Sequence, residues 1–411
     1  MDEATGRVTA AAGPRISDAT LRDTAHMAGV AFDEDDARVL AGLLRGVGVD
    51  IVEAGIVSSG DRSEVPLVRA VAEVAGPEHT KTVILARSRR QVVEDLDAAR
   101  ETGAANLMLS IPTSPTHAGL KLGTDSQQRI VTLAKRGIEA AVEAGFSVTF
   151  SAEDGARTDP AFLEEYVAAG AEAGADRFRL AETVSSLTPG DVGELVARLV
   201  AAAGDTEVEM HSHNMLGLSV ANALAAADAG AAWISCTIDG LGERGGNTPL
   251  AEVLCVLTML RGADRFDLRP LTDLSREAAA RAGLRCSATT GPTAELSYRY
   301  EIPGQVRNPE AFVLFPPETV GNRGGVRIGS RLKPALLDAL LPAETTEGVD
   351  LDAVTDRIRA EAPHPKHVWD LETLDELVRA YGRESHASGN GAHANGAASG
   401  STATSSVSPV N

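Results

Sequence analysis

From residue 16 onward, short apolar runs alternate with longer amphipathic stretches rich in alanine, and glycine punctuates many of the joins. The apolar runs fall at residues 16–21, 50–54, 81–86, 106–110, 147–151, 177–180, 207–211 and 233–238. Strands covered on both faces show such near-continuous apolar character. Between them, residues 33–47, 90–102, 125–144, 159–173, 189–203 and 217–229 repeat apolar side chains at helical spacing. Eight strand units, each followed by a helix, over about 250 residues predict an α/β chain folded as a (β/α)8 TIM barrel. A doubly wound open sheet would need a glycine fingerprint after the first strand. Arg22, Asp23, Thr24 and Ala25 stand there instead.

The pattern changes near residue 270. A helical stretch at 274–282 leads into an irregular Gly/Pro-containing region up to 329, and further helices are predicted at 332–341, 351–360 and 371–381. The expected organisation is a flexible segment at 1–14, a catalytic barrel at 15–270, a smaller α-rich subdomain at 271–384 and a disordered tail at 385–411. That tail lacks Asp, Glu, Lys and Arg and is dominated by Ser, Ala, Gly and Asn. His386 and His393 inside it read as linker residues.

Composition narrows the function. Of the 411 residues, 43% are hydrophobic but only 3% aromatic, as expected for a core of small aliphatic layers. A net charge of −20 argues against a nucleic-acid partner and against docking on anionic lipid. Three cysteines with no paired spacing argue against a disulfide framework and fit a reducing cytoplasm. Residues 1–14 show no apolar leader, and no run is long enough for a transmembrane helix.

A barrel carries its chemistry at the C-terminal ends of its strands. The seventh predicted strand closes on His211, Ser212, His213 and Asn214. Residues two apart on a strand share a face, so His211 and His213 offer two imidazoles to one divalent ion. Asp23, after the first strand, would add an anionic oxygen, and Arg22 beside it would meet a developing alkoxide or enolate. The eighth strand runs into a glycine-rich loop, 239–247, ending at Asn247, a further oxygen for the metal or its surroundings. Glu53, Glu153, Asp154, Glu182 and Thr183 follow other strands and converge on the same mouth.

These segments resemble the DRE-TIM metallolyase superfamily and its Claisen-condensing branch, which includes homocitrate, 2-isopropylmalate and citramalate synthases. The resemblance is carried by Asp-Ala-Thr-Leu-Arg-Asp at 18–23, Val-Glu-Ala-Gly at 52–55, Phe-Ser-Ala-Glu-Asp at 150–154, Glu-Thr-Val at 182–184, His-Ser-His-Asn at 211–214 and Gly-Leu-Gly-Glu-Arg-Gly-Gly-Asn at 240–247. It implies a divalent cation (Zn, Mn, Mg, Co or Fe) held by Asp23, His211 and His213, with Asn247 nearby. It implies a 2-oxo acid chelating that ion beside Arg22, with Thr183 on the substrate carboxylate and Glu53 and His117 near the substrate's far end. Glu153 is implied as a positioning or proton-relay residue, acetyl-CoA as co-substrate, and a homodimer as the working unit. The short, bacterial type of homocitrate synthase looks most similar, and synthases of phosphonate antibiotic pathways are plausible relatives.

The sequence also departs from that pattern. Thr24, Ala25 and His26 replace the usual Gly-Glu-Gln, and Glu182 and Ser185 replace an Asp and a Gly. In the subdomain, Glu301 and Phe312 stand where the family carries a His and a Tyr that help form the enolate. Related aldolases place a catalytic His where His26 stands. An alternative reading is therefore a metal-dependent aldolase acting on a 4-hydroxy-2-oxo acid, with His26 as general base. A binding protein that kept the barrel but lost the chemistry is the third reading.

Overall fold

The computed structural model describes residues 13–392. Eight parallel strands close into a barrel in sequence order: β1 (Arg15–Asp18), β2 (Ile51–Ile56), β3 (Thr80–Leu85), β4 (Asn106–Pro112), β5 (Ser147–Glu153), β6 (Arg177–Glu182), β7 (Glu207–Ser212) and β8 (Trp233–Cys236). Closure comes from β1 pairing with β8, Arg15 against Trp233 through Asp18 against Cys236. The predicted fold class is the one observed. The helices between strands start where the chain supplies caps: Asp33 and Asp36 form a capping box before Glu34–Val47, and Thr188 and Asp191 another before Pro189–Ala203. Helices without a sequence prediction also appear, among them Val65–Ala75, Pro115–Leu122 and Leu250–Cys255.

The first strand is shorter than the apolar run predicts. It stops at Asp18, and residues 20–23 form a helical turn rather than more strand. The cause is local. The buried Asp18 carboxylate accepts from the Thr20 amide at 2.9 Å and from its hydroxyl at 3.1 Å. A side chain that caps its own downstream amide turns the backbone out of the ladder.

The chain divides into two compact units, and the division differs from the boundary expected at 270. The first unit runs on to Ser297 and takes in Pro317–Asn322. Helix Leu271–Arg281 belongs to it, tied through Arg281 to Asp36 at 2.8 Å and through Ser275 to Asp239 at 2.5 Å. The second unit comprises Tyr298–Pro316 and the chain from Arg323. Its core is Ile328, Leu332, Leu336, Leu337, Val354, Ile358, Leu374 and Val378, drawn largely from helices Pro334–Leu340, Leu351–Glu361 and Leu371–Ala392. The last helix runs to Ala392, into the stretch from 385 expected to be disordered. His393 and the rest of that stretch, like most of the flexible segment predicted at 1–14, lie outside the described residues. Among the described residues no helix is long and apolar enough to cross a membrane.

Candidate active site

Asp23, His211 and His213 come together at the barrel mouth, each buried, with one ligand atom from each within 4.8 Å of the others. His211 is the penultimate residue of β7, and His213 follows it in a bridge with Asn247. The two rings stand edge to face with centroids 5.2 Å apart. His211 Nδ1 meets Ser235 Oγ at 3.0 Å, and its Nε2 lies 3.5 Å from Asp23 Oδ2. His213 Nδ1 donates to the carbonyls of Glu243 and Gly246, both at 3.2 Å, which leaves Nε2 a lone-pair acceptor. Arg244 Nη2 meets that nitrogen at 2.7 Å.

Two further observations fit a cation here. Asp23 Oδ1 and Asn247 Oδ1 are buried without any hydrogen-bond partner. Buried oxygens are otherwise almost always satisfied, so two orphans beside two neutral imidazoles mark a place for a positive ligand. Gly242 is what lets them approach. Its φ is +147°, and a Cβ there would stand 2.0 Å from Asn247 Nδ2 and 3.2 Å from Asp23 Oδ1. Protonation suits ligation as well. Burial lowers both imidazoles, His213 to about 4. Burial opposes ionisation of Asp23, yet Arg22 and the two histidines hold its carboxyl well below the usual range. At neutral pH the trio is therefore two neutral nitrogens and one anion.

Arg22, only 11% exposed, extends beside this cluster, its Nη1 on Asp23 Oδ2 at 2.9 Å and its Nε on Glu53 Oε1 at 2.6 Å. Glu53 was expected near the substrate's far end. It is instead fully buried in β2, where Arg179 reaches both its oxygens at 2.6 and 3.1 Å. Arg179 also holds Glu209 Oε1 at 2.8 Å, and Lys81 lies 3.4 Å from Glu209 Oε2. Burial alone would raise Glu53; Arg179, Arg22 and Lys81 bring it down to about 2. Burial pushes Lys81 down to about 7. The barrel thus carries a layer of buried ion pairs beneath the mouth.

The β4–β5 wall holds a second polar group. His117 Nδ1 donates to Glu153 Oε1 at 2.7 Å, and Lys121 pairs with the same carboxylate. Next to it, Asp154, at φ +60°, accepts from Ser114 at 2.5 Å and from Arg157 at 2.7 Å, while its amide donates to Thr183 Oγ1 at 2.9 Å. Burial opposes charge on Glu153, but Lys121 and His117 hold it below its ordinary value. Glu182, at the end of β6, keeps one buried oxygen unpartnered and is raised by burial.

His26 sits on the turn Thr24–His26, its ring 40% exposed, with Nδ1 3.4 Å from Glu243 Oε1. In the second unit, Glu301 Oε1 accepts the Gly329 amide at 2.8 Å, and Phe312 is exposed.

The structure therefore brings Asp23, His211, His213, Asn247 and Arg22 together, sets Glu153 and His117 in one group with Thr183 one hydrogen bond away through Asp154, and leaves His26 beside Glu243. Sequence reasoning missed Arg179, Lys81, Glu209 and Arg244. The signal for the first three was available: charged residues interrupt apolar strands at 81, 179 and 209.

A closed barrel with a carboxylate–imidazole cluster that could hold a metal ion and an adjacent arginine at its C-terminal mouth is the architecture of a barrel enzyme. Residues 13–277 match the HMGL-like family, and the chain belongs to it. It is 34% identical to the 2-phosphonomethylmalate synthase of Streptomyces rubellomurinus, over 80% of this chain and 87% of that one. It is 32% identical to a homocitrate synthase of Methanopyrus kandleri, over 89% and 91%. A putative (R)-citramalate synthase of Methanosphaerula palustris is also 34% identical, over 80% of this chain but only 64% of that protein's length. In fold the chain is similar to the HMG-CoA lyase of Brucella melitensis, with a TM-score of 0.58 and 16% identity, covering 66% of this chain and all of that one.

Proposed function

We propose that the chain condenses acetyl-CoA with a 2-oxo acid. The acetyl α-carbon bonds to the keto carbon, and water cleaves the thioester, giving a 2-hydroxy-2-carboxymethyl acid and free CoA. The observation that carries this reading is the pairing of two orphaned buried oxygens, on Asp23 and Asn247, with a guanidinium fixed 2.9 Å from Asp23. A divalent ion held by Asp23, His211 and His213, with Asn247 beside it, would supply Lewis acidity to the ketone. Arg22 meets the ketone oxygen as it becomes an alkoxide, where a preorganised cation matters most. His26, oriented by Glu243, takes the proton from the acetyl methyl group. Thr183 receives the substrate's 1-carboxylate, and His117 faces its far end, positioned by Glu153 at 2.7 Å.

For the acceptor we favour a 2-oxo dicarboxylate or a phosphonate analogue such as phosphonopyruvate. Two similar proteins, named for homocitrate and phosphonomethylmalate synthesis, support this class. Thiol release from acetyl-CoA, measured with a panel of 2-oxo acids, tests the reading. CoA release with a dianionic acceptor is expected, and no release with any acceptor contradicts it. The exposed His26–Glu243 pair also suits the aldolase reading. Pyruvate release from a 4-hydroxy-2-oxo acid without CoA, lost in His26→Ala, would establish that alternative.

A further inference from the structure

Arg179 heads the fully buried side chains by volume and is 1% exposed in the middle of β6. Removing a guanidinium from water costs several kcal/mol unless partners repay it, so a buried arginine calls for a reason. Its partners trace a path to the mouth. Nη1 and Nη2 donate to Glu53 Oε1 and Oε2 at 3.1 and 2.6 Å, and Glu53 Oε1 also accepts Arg22 Nε at 2.6 Å. Arg22 then donates through Nη1 to Asp23 at 2.9 Å. Two guanidinium groups therefore share one carboxylate. With Nε and Nη1 of Arg22 committed, Nη2 has no hydrogen-bond partner among the described residues.

We propose that Arg179 is a positioning residue that acts through Glu53 to fix the rotation of the Arg22 guanidinium, leaving Nη2 free for the acceptor's oxygen. The proposal rests on the reading that Arg22 meets the ketone. The fork of Arg179 is what sets the plane of the Glu53 carboxylate, because it engages both oxygens. Without it, Glu53 keeps Arg22 and a lysine whose Nζ is 3.9 Å away, and its carboxylate is free to turn toward that ammonium. Glu209 also accepts from Arg179 Nη2, at 2.8 Å, but does not touch Arg22; glutamine there keeps an accepting oxygen, so Glu209→Gln is the control.

The test compares Arg179→Met, Arg179→Lys and Glu209→Gln in the metal-loaded protein. Two quantities are read: kcat and KM for condensation, and hydrogen exchange of the Arg22 Nε–H in protein labelled with 15N-arginine. Arg179→Met is expected to lower kcat about 10–100-fold, the range for lost supporting contacts at an active site, with KM for acetyl-CoA unchanged. The Arg22 Nε–H should then exchange at least about tenfold faster, in proportion to its lost protection. Arg179→Lys should fall between, since it keeps the charge but not the fork. Glu209→Gln should keep kcat and protection near the wild type. Wild-type kcat and protection in folded Arg179→Met overturn the proposal, as do equal losses in Glu209→Gln. If Arg179→Met does not fold, the contrast between Arg179→Lys and Glu209→Gln decides. If the wild type releases no CoA with any acceptor, the functional reading has failed. The Arg22 exchange rates then still decide whether Arg179 positions it.

Discussion

Two sides of one barrel mouth hold similar residues in opposite states. On the β1–β7–β8 side, Asp23 and Asn247 each bury an oxygen with no partner. On the β4–β5 side, Glu153 is shared by His117 and Lys121, and Asp154 is held by Ser114 and Arg157. Both are clusters of acids and histidines. The first has arginines of its own, Arg22 on Asp23 and Arg244 on His213, yet still leaves two oxygens without a partner; in the second, every carboxylate is held by a neighbouring side chain. An incomplete buried set points to a ligand, and a complete one to the shaping of a pocket wall.

The widest separation between the two sides should come from removing ligands. His213→Ala or Asp23→Asn should abolish stoichiometric divalent-ion binding, read by elemental analysis of gel-filtered protein. Condensation should fall on the order of 10³-fold or more, since the Lewis acid supplies several kcal/mol. Glu153→Gln should keep the ion. Ion loss in Glu153→Gln as well would erase the distinction. Next in size, Arg22→Ala should lower kcat about 10²–10³-fold while the ion stays bound, as expected for one donor at a developing oxyanion. An unchanged kcat would remove Arg22 from the chemistry. Smaller still, Ser235→Ala takes away the hydroxyl beside His211 Nδ1 and should weaken ion affinity about 10–100-fold in a metal-competition titration.

The weakest effect concerns the layer beneath. Burial lowers Lys81 to about 7 from its ordinary 10.5. Between those values the unfolded chain binds a proton that the folded chain does not. Lys81 therefore makes stability rise with pH from about 7 toward 10.5. In Lys81→Met, denaturant unfolding across that window should show a flatter pH slope. An identical slope would mean that Lys81 does not titrate there.

How far the sequence reached depended on how local each cause is. His211 and His213 were legible because a period of two on one strand suffices to place both on one face. The eight strands were legible because each is a near-continuous apolar run, a signal as local as the first. Asp23 was found after the first strand, but the helical turn that carries it was not foreseen, because the Asp18 side chain ends β1 early. Glu53 was found, but its partners were not. Its partner Arg179 lies 126 positions away and meets it only across the closed barrel. A lone charge within an apolar run does not reveal which opposite charge it will face. The unit boundary was misplaced because the helix at Leu271–Arg281 looks the same in sequence whichever unit it packs on. On the barrel it buries Leu271, Leu274 and Ala278, and Arg281 reaches Asp36, a partner far away in sequence.

The most direct test of the incomplete side is to strip the protein with a chelator and titrate Mn2+ or Zn2+ back while following CoA release with 2-oxoglutarate and with phosphonopyruvate. The account predicts no turnover without the ion and saturation at one ion per chain for at least one acceptor, with neither binding nor turnover in His213→Ala. Full turnover in the stripped protein, or ion-dependent turnover that survives in His213→Ala, would contradict it.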